Sequence, residues 1–230
     1  MDFSPEGPMA IPLWVNGHAF LTAGNAFFDV VNPTSGEAIR RVPLCGADEA
    51  AEAVGAARAA QRDWAEMGLN ARRVCLGQLA DGLEKYGNQF GKLLREETGY
   101  DEERAQAEVA AAVAALRGTS VGETGVVAVV VDASRPLAGF AEAAAPALLA
   151  GASVVVKPSP KAPSALYALC ELTARAEWPA GVLNLVQGDS AAITGLCAAD
   201  IDRLLYVGET ALGEQVGAIA AAAGKAFVAA

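Results

Sequence analysis

From Gly125 onward the sequence alternates short aliphatic runs with helix-length stretches, and few architectures accept that rhythm. GVVAVVV, SVVVKP, VLNLVQ, RLLYVG and AFVAA show little polar alternation, as expected of strands covered on both faces. Residues 136–149, 163–177, 190–198 and 209–223 between them read as helices. Strand, turn and helix repeated in this way imply a parallel sheet of about five strands with right-handed crossovers, a doubly wound α/β fold. Ligands of such folds sit beyond the strand C-termini. The crossings at residues 132–135, 157–160, 187–190 and 208–209 therefore converge on one crevice.

The first half reads differently. IPLWV, the Asn16-Gly17 type I′ turn signal, HAFL, a second turn at Gly24-Asn25 and FFDVV predict a small β ribbon. A turn cluster at residues 32–36 and the strand AIRRVP complete it, giving a ribbon over residues 11–46. A helix is expected to begin at Asp48, with Glu49 and Glu52 favouring its positive end. Helical patterns follow over about 70–86, 88–98 and 101–117, with Gly99 and Gly118 placed as C-caps. Residues 1–230 thus read as one domain: the ribbon, a helical part over 47–118, and the βα repeats over 125–230.

Composition removes several function classes. The formal net charge of −10 leaves no basic surplus for phosphates, which argues against nucleic acid or an anionic membrane as partner. The longest apolar tract, residues 143–156, is broken by Pro146 and Gly151 and is too short to span a bilayer. Asp2 and Glu6 stand where a signal peptide would carry basic residues, so a cytoplasmic location is expected. Cys45, Cys75, Cys170 and Cys197 lie far apart and His18 is the single histidine, which is no metal-site spacing. The cysteines read as reduced core residues. His18 reads as a turn or surface residue, and without a second histidine most hydrolase triads lack a base.

The first crossing, VVVDASRPLAGF, lacks the three-glycine dinucleotide fingerprint. Other stretches explain why. VNPTSGEAIRRVPL, then ARAAQRDWAEM and ARRVCLGQLADGLEKYGNQFGKLLREETG, resemble the opening of aldehyde dehydrogenases. GASVVVKPSPKAPSALYALCEL, WPAGVLNLVQG and YVGETALGEQV resemble the cofactor half of that family, in the same order. The resemblance runs from about Leu13 to Ala230 and implies an aldehyde dehydrogenase cofactor domain, a fold that binds NAD(P) without that fingerprint.

The resemblance also implies where such a cofactor would be held, and this sequence departs there. The family's Pro-Trp-Asn-aromatic-Pro crossing, whose asparagine helps stabilise the oxyanion, falls on Asp132, Ala133, Ser134, Arg135 and Pro136. Ser134 offers one shorter donor where oxyanion stabilisation needs donors about 3 Å from the developing charge. Lys157 matches the lysine that reaches the adenosine ribose, with Ser159 beside it, but the glutamate expected three residues on is Pro160. As a plain residue, Lys157 reads as a snorkelling surface lysine at a strand end. Gly188 keeps the first glycine of a Gly-x-Gly whose second is Ser190. Gly208 and Gly213 keep the spacing of the pyrophosphate helix, but its serine is Glu209. A carboxylate at a helix N-terminus satisfies the dipole itself and opposes phosphate. Two like charges about 4 Å apart at an effective dielectric near 20 repel by roughly 4 kcal/mol. With screening, the expected weakening is about tenfold to a thousandfold.

The family's nucleophilic cysteine, its Glu-Leu-Gly-Gly segment and its catalytic domain lie beyond the fifth strand, and none of the four cysteines here matches the nucleophile. Between Arg117 and Gly125 the chain is too short for the family's oligomerisation hairpin. The leading expectation is a non-catalytic module that packs beside an active aldehyde dehydrogenase, similar to the degenerate C-terminal modules of two-module aldehyde dehydrogenases and bifunctional proline utilization enzymes. No cofactor is expected, or NAD(P) held weakly. One alternative is the NAD-binding half of a split aldehyde dehydrogenase. Another is a module for a different small ligand, gripped by Ser134, Arg135 and Lys157.

Overall fold

The computed structural model describes residues 8–22 and 26–229. The Gly24-Asn25 turn and the acidic residues Asp2 and Glu6 lie outside these described residues. The chain opens with a hairpin of β1 (Leu13–Val15) and β2 (His18–Phe20), then β3 (Phe27–Val31) and β4 (Ala38–Pro43). Four helices follow: α1 (Ala47–Glu66), α2 (Leu69–Lys85), α3 (Gly87–Thr98) and α4 (Glu102–Leu116). The repeats then run β5 (Val126–Val131), α5 (Ala138–Ala150), β6 (Ser153–Lys157), α6 (Ser164–Arg175), β7 (Leu183–Leu185), α7 (Ser190–Ala198), β8 (Arg203–Val207), α8 (Thr210–Ala222) and β9 (Ala226–Ala229).

The five repeat strands are parallel neighbours, as the rhythm predicts, but the sheet has seven strands in the order β2-β1-β7-β6-β5-β8-β9. The two extra strands are the β1–β2 hairpin, docked antiparallel on β7 through Trp14 opposite Leu185. The expected single ribbon is therefore two structures, because β3 and β4 form their own two-stranded sheet, joined by an isolated bridge from Ala10 to Arg41. Leu13, Trp14 and Val15 are all buried, the signature of a strand inside a covered sheet rather than of a half-exposed ribbon. Asn16 and Gly17, at φ 52° and 79°, make the predicted turn, and β2 carries His18 on the exposed edge.

Side-chain alternation along the strands feeds two cores. Val127, Val129 and Val131 of β5 join Val154, Val156 and Leu185 under α2, α4, α5 and α6. Val126, Ala128 and Val130 face the opposite way, with Leu204 and Tyr206, under α1, α7 and α8. Aliphatic residues at both parities are what a doubly wound sheet requires, and the strands read as unbroken apolar runs for that reason.

Helix ends agree with the sequence in part. Gly99 closes α3 in the left-handed conformation, φ 74°, its N–H reaching Arg95 O at 3.1 Å. Gly118 does not play that role, since α4 ends on a right-handed Arg117 and the Gly118 N–H turns back to Ala115 O. The first helix starts at Ala47 rather than Asp48, because Glu49 folds back to accept the Gly46 N–H at 3.0 Å. α5 continues through Pro146 and stops at Gly151, φ 94°. Among the described residues no helix is long and apolar enough to cross a membrane, and no cluster of ligands could hold a metal.

Candidate functional site

The strand C-termini open onto a crevice of about 570 Å³. Lys157, Ser159, Pro160, Ser190 and Glu209 line it, together with Asp132 and Ser134, and Phe28, Ile193 and Leu212 contribute apolar wall. Gly208 and Gly213 lie outside it, along a cavity of about 320 Å³ between α8 and β9. Another cavity, about 580 Å³, lies between α2, α3 and α4, but none of its lining residues belongs to a strand or a crossing.

The first crossing is closed on itself. Asp132 is only 7% exposed, and Oδ1 accepts the Ser134 N–H at 2.7 Å and the Ser134 hydroxyl at 2.5 Å. Oδ2 accepts the Glu209 N–H at 2.6 Å and faces the Tyr206 hydroxyl at 3.3 Å. Burial, then Asp132, pushes the Tyr206 phenol well above its ordinary range. Ser134 thus gives its hydroxyl to a neighbour rather than to the crevice. Arg135 turns away, paired with Glu142 at 2.6 Å on the surface. Tyr100 Oη reaches Ser134 O, with the Arg104 guanidinium 4.0 Å over its ring.

Lys157 is not a snorkelling surface residue. It is 3% exposed, and Nζ donates to Pro158 O and Gly188 O, both at 2.8 Å. Burial lowers its pKa to about 8, opposed by the charge of Asp189. The strand-end position suggested a solvated head; two carbonyls brought together by the second and third crossings hold it inside instead. Ser159 Oγ accepts the Lys161 N–H at 3.3 Å, and Pro160 is half-buried beside it. Gly188 sits at φ 124°, where a Cβ would come within 3.0 Å of the Cys45 nitrogen. Ser190, exposed, opens α7 behind Asp189, whose Oδ1 accepts the Ala191 N–H at 2.9 Å.

At the fourth crossing Glu209 is exposed and its side chain makes no capping bond, although it occupies the N-cap of α8. The carboxylate in front of that helix belongs to Asp132. The same device recurs: Glu108 Oε1 accepts the Leu137 and Ala138 N–H groups at 3.1 and 3.0 Å at the start of α5, and Glu97 Oε2 accepts the Ser164 N–H at 3.0 Å at the start of α6. Each crossover helix therefore begins on a carboxylate of this chain, which meets the positive end of its dipole. Sequence reasoning missed Asp132, Glu97, Glu108 and Tyr206 in these roles. The one local signal was Asp132-Ala133-Ser134 after an apolar strand, a spacing suited to an Asx turn.

All four cysteines are free. Cys45, Cys170 and Cys197 are buried and Cys75 is half-buried; burial raises the Cys45 thiol to about 12, far from a reactive thiolate.

Comparison with known proteins follows the same outline. The sequence profile of the aldehyde dehydrogenase family matches residues 20–230. The NADP(+) succinate-semialdehyde dehydrogenase of Escherichia coli is 29% identical over 228 residues, which cover 88% of this chain and 47% of that protein. The crystal structure of lactaldehyde dehydrogenase from Escherichia coli superposes with a TM-score of 0.91 at 25% identity, covering 97% of this chain and 52% of that one. A putative methylmalonate-semialdehyde dehydrogenase from Sinorhizobium meliloti, solved with NAD, has the same fold with a TM-score of 0.91 at 24% identity, over 97% of this chain and 50% of that one. The chain spans about half the length of the relatives it matches.

Proposed function

Because the chain belongs to the aldehyde dehydrogenase family, we propose that it keeps the family's cofactor-domain fold as a non-catalytic module and packs beside an active aldehyde dehydrogenase chain. The observation that carries this reading is that two crevice groups suited to a dinucleotide are engaged within the chain, although Arg104 and Lys161 also stand on the crevice wall. The Lys157 ammonium serves two backbone carbonyls, and the Glu209 amide serves Asp132. Pro160 offers no side-chain polar atom beside them. A dinucleotide pyrophosphate at the start of α8 would approach the Asp132 carboxylate and the exposed Glu209, so the residues present fit that cofactor poorly. The module offers a partner the edge of its sheet at β9, where Val228 is 55% exposed. Four free cysteines suit a reducing setting, which fits the cytoplasmic location in this reading.

The second reading, a split aldehyde dehydrogenase whose catalytic domain comes from another chain, draws on the NAD-bound relative and on the retained Gly208 and Gly213. Calorimetric titration with NADH at moderate salt separates the two. The expected result is no binding up to millimolar concentration. Micromolar affinity would overturn the non-catalytic reading and make the split enzyme the working hypothesis. Light scattering of the chain mixed with a full-length aldehyde dehydrogenase encoded beside it then tests the packing, and absence of a complex counts against it.

A further inference from the structure

We propose that Asp132 is an internal anion at the start of α8, where it holds the N-cap amide, so that the crevice disfavours phosphate by holding a carboxylate of its own. This inference rests on the non-catalytic reading and names the device behind it. β5 and β8 run parallel with Val131 opposite Val207, and the Asp132 N–H continues that ladder to Val207 O at 3.1 Å. The pairing sets Asp132 one step beyond β5, level with the turn that begins α8. Its carboxylate then gathers donors an external oxyanion would seek: the Ser134 and Glu209 amides and the Ser134 hydroxyl, with the Tyr206 hydroxyl shared between Oδ2 at 3.3 Å and Glu209 O at 3.0 Å.

The two glycines that suggest a cofactor site are explained by the same contact. A Cβ on Gly208 would lie inside the Asp132 carboxylate and 2.6 Å from the Tyr206 hydroxyl. A Cβ on Gly213 would lie 2.9 Å from Cε1 of the Tyr206 ring. Gly208 makes room for the internal anion, and Gly213 makes room for the tyrosine that helps hold it. The glycine spacing therefore survives in a chain that has no use for a pyrophosphate. Glu209, exposed and without a capping bond, is a spectator to this arrangement.

The test is calorimetric titration of the full chain with inorganic pyrophosphate in the wild type, Asp132→Ala and Glu209→Gln, with circular dichroism to establish folding. Removing the carboxylate frees the Glu209 amide and lifts the like-charge repulsion. Asp132→Ala is expected to gain at least about tenfold in pyrophosphate affinity, and Glu209→Gln less than about threefold. Should Asp132→Ala fail to fold, Asp132→Ser carries the same expectation, since its hydroxyl can accept one of the abandoned amides. A folded Asp132 variant with wild-type affinity overturns the inference, and so does a gain confined to Glu209→Gln. Either failure leaves the non-catalytic reading standing, because that reading falls only if the wild type itself binds NADH at micromolar concentration.

Discussion

Glu97 at the end of α3 holds the first turn of α6, its Oε2 accepting the Ser164 N–H at 3.0 Å while Oε1 takes the Ser164 hydroxyl in a short bond. Arg40 of β4 approaches from the other side, 3.4 Å from Glu97 and 2.6 Å from Glu96. These partners favour the carboxylate, but burial outweighs them and raises the Glu97 pKa from its ordinary 4.5 to about 7. A folded pKa above the unfolded one means that between those values the folded state binds a proton the unfolded state lacks. Stability from this group is therefore present below about pH 4.5 and is lost as pH rises to about 7. Glu97→Gln keeps an acceptor for the Ser164 amide and cannot titrate. Urea denaturation at pH 5 and pH 8 should show the variant gaining on the wild type by about 2 kcal/mol across the interval. A constant difference would mean that Arg40 and Ser164 keep the carboxylate charged throughout.

Gly139 sets how closely α5 approaches the sheet. It lies in the first turn of that helix, and a Cβ there would come within 2.7 Å of Val207 Cγ1 and 3.3 Å of Arg135 Cβ. Alanine ordinarily improves a helix by about 1 kcal/mol over glycine, but here overlap must push α5 off β8. Gly139→Ala is expected to destabilise the fold by about 1–3 kcal/mol. Val207→Ala in the same chain should recover part of that loss, a coupling that a double-mutant cycle reads directly. Gly55→Ala on α1, where a Cβ would meet nothing within 4 Å, is the control and should be stabilising. Equal effects at the two positions would refute the close-approach argument.

β5, β6 and β7 were legible because each is buried on both faces and so reads as an unbroken apolar run, and β8 nearly so; β9, expected to be covered as well, is a largely exposed edge strand and was legible only from the strand-helix rhythm. The destination of the first hairpin was not. Asn16-Gly17 announces the turn, but the partner of Trp14 is Leu185, and nothing local to either residue records that pairing. The same distance hid the site. Asp132 meets an amide 77 positions away, Glu108 caps a helix that starts 30 positions later, and Glu97 reaches one 67 positions on. Within their own helices Glu97 and Glu108 look like ordinary solvated carboxylates. Glu209 was given the capping role because it stands at the right place in the chain; the carboxylate that reaches the helix in space comes from the neighbouring strand. Arg135 and Lys157, both read as crevice cations, are separated by their partners, since Glu142 draws the first to the surface and two carbonyls draw the second inside.

Lys157 offers a direct check on how the crevice is built. With its ammonium buried on Pro158 O and Gly188 O, its pKa falls from the ordinary 10.5 to about 8. The folded state then binds fewer protons than the unfolded state between those values, so the stability cost of the buried charge is full below about pH 8 and disappears as pH rises to about 10.5. Lys157→Met keeps most of the stem volume and has no charge to bury, but it leaves two carbonyls unpaired, at about 1–3 kcal/mol. The two effects oppose each other near pH 7, where wild type and variant should differ by no more than about 2 kcal/mol. On the alkaline side only the wild type is relieved. Denaturation midpoints at pH 7.5 and pH 10 should therefore move in favour of the wild type, by up to about 3 kcal/mol. A lysine whose head stood in water would show no such movement, and a pH-independent difference would place Lys157 back at the surface.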